Sequence, residues 1–388
     1  MEADVETTSP FPEQWLNQIL PLPYRVATLL VAGVWLWAIN LQYLHYKGID
    51  TSSLLRYPTS PGAHQSTYRL ALFLTVPLLA SLLLFAVLPY QILPLLYLLY
   101  LAVALIIPTA YLSRRGRSRF LATLRRVSVG GLAQDQDGRF ADILLADVLT
   151  SYAKPVADLY VVVCLMVQGK GVQGRPDRSC GGSYMVPLLI GLPFLIRFRQ
   201  CIIEAMRARA HGKTGFQHLA NAMKYSTAFP VLICSAMKRE LNPERMWASE
   251  KGLSRLWLLA IFANSLYSFY WDVAKDWDLT LFSPAEERNS PEHPWGLRKQ
   301  RIFQPESIYY VAMAVDLLLR CTWSLKLSVH LYHLNDLEGG IFMIELFEIL
   351  RRWMWVFLRI ETEWLRQKGA ITLDSVPLVD QHAKIDDD

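Results

Sequence analysis

The sequence predicts an all-α fold, a polytopic transmembrane helical bundle of about nine spans, ten if one more escapes detection, on three observations. Hydrophobic residues make up 53% of the 388 and charged residues 19%, whereas a soluble domain carries roughly a quarter charged residues. Mean hydropathy is +0.21. Mostly apolar stretches of about 20 residues, the length a helix needs to cross a hydrocarbon core, recur along the chain. The 12 Trp and 18 Tyr suit the bilayer interface, where amphipathic rings settle, and would equally suit the lining of a pore.

In order, the candidate spans are 24–45, 68–89, 91–112, 140–168, 184–205, 216–237, 254–273, 307–329 and 340–360. Within the first three, Leu78 to Val87 and Leu95 to Ile107 hold no charge, so these surfaces are expected to face lipid. The loop after the third span holds Arg114, Arg115, Arg117, Arg119, Arg125 and Arg126. Lys and Arg accumulate on the cytosolic side, which places 113–139 in the cytosol. Counting onward puts 206–215, 274–306 and the tail after 361 on the same side, and 169–183, 238–253 and 330–339 opposite. Nine spans leave the N-terminus outside the cytosol; a tenth would reverse it.

The chain accordingly divides into a short polar N-terminus (1–23), N-terminal transmembrane helices with the basic loop (24–138), a second membrane region (139–367) and an acidic tail (368–388). The first twenty residues lack a basic n-region and an apolar core, so no cleavable signal peptide is expected. Residues 278–304, with Pro284, Glu286, Glu287, Arg288, Pro291, Pro294 and Gly296, read as an exposed linker. Cys164, Cys201, Cys234 and Cys321 lie in apolar stretches and only Cys180 in a polar loop, so no disulfide framework is expected. The net charge of +5 is spread over loops and spans, which argues against a nucleic-acid partner.

Ionisable residues inside the spans are the informative feature, since each costs about 2.5–3.5 kcal/mol at a helix centre unless paired or wetted. Asp147, Ser151, Lys154 and Asp158 stack on one helix face, and Asn264, Ser268, Asp272 and Asp276 on another. Leu258, Ile261, Phe262 and Phe269 mark the second as membrane-embedded, not a solvated face. Lys224 with Tyr225, Asp316 with Arg320, and Glu345, Glu348, Arg351 and Arg352 complete the set. Each of these arginines has an acid three or four residues before it, the arrangement of a structural ion pair. Yet guanidinium forks also suit bidentate contact with a tetrahedral oxyanion, and several converging cations suggest an anion path. His330 and His333 at i, i+3 lack a third ligand, so no metal is expected. No catalytic motif precedes a suitable element, so neither catalytic residues nor a cofactor is expected.

At these positions the sequence resembles the EXS family of membrane proteins, whose best understood members export inorganic phosphate. The resemblance rests on Leu145-Ala146-Asp147, Leu149-Thr150-Ser151, Arg197-Phe198-Arg199-Gln200-Cys201, the run from His218 to Thr227, Tyr270-Trp271-Asp272, Asp276-Trp277, Leu319-Arg320, Trp323, the run from Phe347 to Trp355, and Arg359, Glu361 and Glu363. It implies that residues 139–367 form the transport domain. Phosphate would be held by Lys224, Tyr225, Arg320, Arg351 and Arg352, with Asp147, Asp272 and Glu348 organising the cluster and Trp323 lining or gating the path. Val356 and Thr362 stand where the family pattern usually has Asn, so polar contacts near the last helix are expected to differ. Only some 23 residues precede the first span, so regulation through an N-terminal SPX domain is expected to be missing. The short branch resembles the yeast ER-retention protein, which implies a Golgi address, a cytosolic C-terminus and the return of luminal phosphate, a glycosylation by-product, to the cytosol. The alternative is a membrane scaffold that retains glycosyltransferases through cytosolic loops and tail. Expected partners are inorganic phosphate, membrane lipid, Golgi sorting proteins and a second copy of the chain.

Overall fold

The computed structural model describes residues 13–56, 62–107, 112–169, 171–174, 176–239, 250–291, 293–321 and 338–374. Among these residues every regular element is helical. Helices α1 (Glu13–Ile19) and α2 (Leu22–Tyr46) are followed by α3 (Thr51–Leu54), α4 (Ala63–Val87), α5 (Leu93–Ile106) and α6 (Arg114–Ser128). Then come α7 (Arg139–Ser151), α8 (Ala153–Val167), α9 (Met185–Ala210), α10 (Phe216–Ser226), α11 (Ala228–Arg239) and α12 (Glu250–Trp271). After α13 (Ala285–Arg288) and α14 (Ser307–Arg320), the C-terminal helix runs from Glu338 to Asp374.

Three helices, α2, α4 and α9, are each long and apolar enough to cross a membrane, and α7 with α8 makes a fourth as a pair bent by 63°. The chain is therefore a helical membrane protein. The expected nine spans all fall on helices over their described lengths, but length and apolarity single out these four at most. Val76, Leu79, Leu83 and Val87 of α4 and Leu96, Leu99, Val103 and Ile106 of α5 are exposed, as a lipid-facing surface requires. The tail from 375, Trp323, His330 and His333 lie outside the described residues.

Sequence position explains the packing. Tyr24, Val31, Leu74, Phe85 and Tyr97 join α2, α4 and α5 in one apolar cluster, where Tyr24 donates to the Ser81 carbonyl at 3.0 Å and Tyr97 to that of Leu74 at 2.7 Å. A larger cluster surrounds the C-terminal helix through Trp355, Leu358 and Ile360, which meet Phe269, Val273, Trp277 and Tyr309.

The same core corrects the reading of 278–304 as an exposed linker at its two ends, whereas Pro284, Glu286, Glu287 and Pro291 in its middle are exposed as expected. Leu279, Leu297 and Phe303 are buried in it, and Arg298 pairs with the wholly buried Glu361. Glu361 also accepts from the amides of Ile302 (2.6 Å) and Phe303 (3.3 Å) and from the Tyr309 hydroxyl (2.5 Å). Thr362, standing in for the family's usual Asn, accepts from Arg298 at 2.5 Å. The ends of the segment are sewn to the C-terminal helix, because one carboxylate there collects three donors from the segment and a fourth from α14.

Loop 169–183 holds a second difference. Cys180 is disulfide-bonded to Cys164 of α8, although no bridge was expected. The loop turns back on the helix, as Arg178 reaches Glu338 at 2.6 Å and Asp158 at 3.2 Å. Glu338 also receives Arg25 at 2.6 Å, so one acid ties this loop to α2 and the C-terminal helix. Thiol titration of the denatured, unreduced chain is expected to count three cysteines (Cys201, Cys234 and Cys321), rising to five after reduction. Five before reduction would remove the bridge.

Candidate functional site

Three helices break at one place. Pro155 and Pro230 cannot donate to the carbonyls of Ser151 and Ser226, four residues earlier, and the helices are interrupted at Tyr152 and Thr227 beside them. At the end of α12 the backbone widens into a π-helical turn, Asp272–Asp276; such turns recur at functional sites. Irregular backbone at membrane depth persists only where protein or a wet cavity surrounds it, and these breaks deliver polar side chains to a common centre.

That centre is Asp272, which is fully buried. Lys224 of α10 approaches it at 2.9 Å and Asp276 at 3.4 Å. Arg320, at the end of α14, pairs with Asp272 and donates to Asp316 at 2.9 Å. Arg351 of the C-terminal helix lies 3.2 Å from Asp316, 3.7 Å from Asp272 and 2.8 Å from Glu348. Beside this set, Asp147 of α7 accepts from Arg197 at 2.7 Å and from the Tyr225 hydroxyl at 2.5 Å. The Arg197 guanidinium also covers the Tyr225 ring at 5.0 Å.

Arg352 differs from its neighbours. Its Nε meets the Ser151 hydroxyl at 3.2 Å and one terminal nitrogen that of Thr150 at 3.3 Å. The guanidinium stacks 4.5 Å from the Trp355 ring centroid. Among the described residues no carboxylate lies within ion-pair distance of it, and its other terminal nitrogen is buried without a partner. A buried cation and an orphaned donor both demand compensation, which an anion entering from solvent would supply.

The structure thus gathers Lys224, Tyr225, Arg320, Arg351, Arg352, Asp147, Asp272 and Glu348 around one locus; Trp323 lies outside the described residues. The stripe Asp147, Ser151, Lys154, Asp158 keeps its face across the bend, with successive partners Arg197, Arg352, Glu345 and Arg178. Arg197, Asp276 and Asp316 carry pairings the candidate residue set did not give them. Asp276 and Asp316 were visible as four-residue neighbours of Asp272 and Arg320; Arg197 had no such local signal, since its acid is 50 residues away. No metal-competent group of side chains occurs among the described residues.

The model of the EXS family matches residues 20–365. The chain belongs to the EXS family. Within it, the chain is 28% identical to Protein ERD1 homolog 2 of Schizosaccharomyces pombe, over 89% of this chain and 97% of that protein. It is 33% identical to Protein ERD1 of Kluyveromyces lactis over 58% of each. Human solute carrier family 53 member 1 is 28% identical over 89% of this chain but only 50% of its own length. This EXS protein therefore matches the yeast relative from S. pombe nearly end to end and the human one over half its length.

Proposed function

We propose that this EXS protein moves inorganic phosphate across a membrane of the Golgi or early secretory pathway, from lumen to cytosol, and so supports glycosylation and the retention of luminal ER proteins. Arg352 carries the proposal: it is a buried guanidinium with no carboxylate partner among the described residues, set among paired cations. Phosphate is held by Arg352, Arg351, Arg320, Lys224 and Tyr225, while Asp147, Asp272 and Glu348 keep the cluster from trapping its ion. A conducting site must release what it binds, and carboxylates compete with phosphate for the same donors. The similarity to a human solute carrier supports the class of activity.

Radiolabelled phosphate flux into liposomes holding the purified full chain tests this. Saturable flux well above protein-free liposomes is expected, with sulfate a weaker competitor than unlabelled phosphate. Protonated phosphate can donate a hydrogen bond to a carboxylate such as Glu348, whereas sulfate leaves that acceptor unpaired. Absence of flux from folded protein would discard the transport reading, and equal competition by sulfate would widen the substrate to tetrahedral oxyanions.

A further inference from the structure

Polar contacts between α8 and the C-terminal helix continue past the phosphate cluster toward loop 169–183, the side expected to face away from the cytosol. On the C-terminal helix Glu338, Glu345 and Arg352 recur every seven residues, which puts them on one face in steps of about 10 Å. Opposite them, Arg352 meets Ser151, Glu345 meets Lys154, and Glu338 shares Arg178 with Asp158. Lys154 and Glu345 therefore stand one step from Arg352 and one step from the loop.

The exposure of Lys154 is unlike that of a structural ion pair. At about 100° per residue, Val156, Leu159, Val163 and Met166, all exposed, lie on the far side of α8 from Lys154. Its own side is the packed one, shared with Ala157, Asp158, Val161 and Leu165, which are buried. Yet the Lys154 side chain is 33% exposed. A side chain that stays open on the packed face borders a gap between helices, not lipid, and a gap beside charges at membrane depth is wet.

The pair is also loosely made. Lys154 Nζ lies 3.1 Å from Glu345 Oε1, close enough for an ion pair, but the angle makes no hydrogen bond, and that buried oxygen has no donor among the described residues. Arg178, by contrast, binds Asp158 and Glu338 through four hydrogen bonds. An ammonium on a flexible four-carbon stem is a compact point charge with rotatable donors, so it exchanges one oxyanion for another more readily than a clamped guanidinium.

We infer, resting on the transport reading, that Lys154 is a second phosphate station between Arg352 and loop 169–183, and that Glu345 is the counter-ion an arriving phosphate displaces. Sites in series let an ion leave each one without being trapped. Glu345 takes the amine back whenever the station is empty, so the cation is not left without a partner at membrane depth.

Phosphate flux measured against phosphate concentration, in liposomes holding the full parent chain or one of three variants, is the test. Lys154→Met should lower maximal flux about tenfold or more. Lys154→Met/Glu345→Gln should stay as low, although it restores the charge balance; it strands no charge, so it carries the test even if Lys154→Met fails to fold. Glu345→Gln leaves the amine free for phosphate, so KM should fall and maximal flux should fall with it. A pair that only holds helices together gives the reverse, recovery in the double variant and no fall in KM. With the parent active, normal flux in Lys154→Met, recovery in the double variant or an unlowered KM in Glu345→Gln overturns the station and leaves the transport reading standing. A folded parent without flux overturns both.

Discussion

Arg352→Ala inserts and purifies like the parent protein and carries phosphate no faster than protein-free liposomes: this is the expected result. On the proposed reading function is lost because, among the described residues, this buried guanidinium has no carboxylate and is left for an incoming anion, and a hydrogen bond to a charged group contributes about 1.5–3 kcal/mol. Several such bonds converge on a tetrahedral ion, so even one lost arginine should lower flux by ten- to hundredfold or more. Folding survives for the complementary reason. Truncation strands no acid, and the Thr150 hydroxyl keeps its bond to the Asp147 carbonyl at 2.7 Å. Arg352→Lys retains the charge without the fork and should fall between the two. Normal flux in folded Arg352→Ala would remove the residue from the mechanism.

The opposite outcome is expected at Asp272. Asp272→Asn leaves Lys224 and Arg320 facing a neutral amide, with Arg351 close by. Removing one partner of a buried ion pair costs about 3–5 kcal/mol, a large fraction of the roughly 5–15 kcal/mol that holds a protein folded. Size-exclusion chromatography in mild detergent should show most of the variant aggregated, and the folded remainder should unfold at a clearly lower temperature. Adding Lys224→Met to Asp272→Asn removes a cation that then keeps only the longer Asp276 contact at 3.4 Å, and should recover part of the yield. If Asp272→Asn behaves like the parent, the ion-pair account of the cluster fails.

The contrast between these two residues shows how far the sequence could be read. Four-residue spacing on helices exposed the stripes of Asp147 and Asp272 and the acids beside Arg320 and Arg351, since neighbours on one helix face are fixed by local geometry. Which cation lacks a carboxylate is a tertiary fact. Arg352 has Glu348 four residues before it, yet Glu348 turns to Arg351 at 2.8 Å while Arg352 faces hydroxyls on α7. The two ends of 278–304 were misread for a similar reason. Their turn formers dominate the local composition, whereas Leu297 and Phe303 find their apolar partners, and Arg298 its acid 63 residues on, only in the folded chain. The Cys164–Cys180 pair, divided between an apolar helix and a polar loop, also needed the loop's return path to be seen.

That pair has a further consequence. A cytosolic protein's thiols are kept reduced, whereas the secretory lumen permits disulfides, so a bridge at Cys164 and Cys180 works as a compass for the whole chain. If it forms in the cell, loop 169–183 points to the lumen, and the arginines of α6, one crossing earlier, must point to the cytosol. Maleimide capping of thiols in sealed membrane vesicles from cells making the protein would therefore report which way the molecule faces without any tag, antibody or engineered glycosylation site.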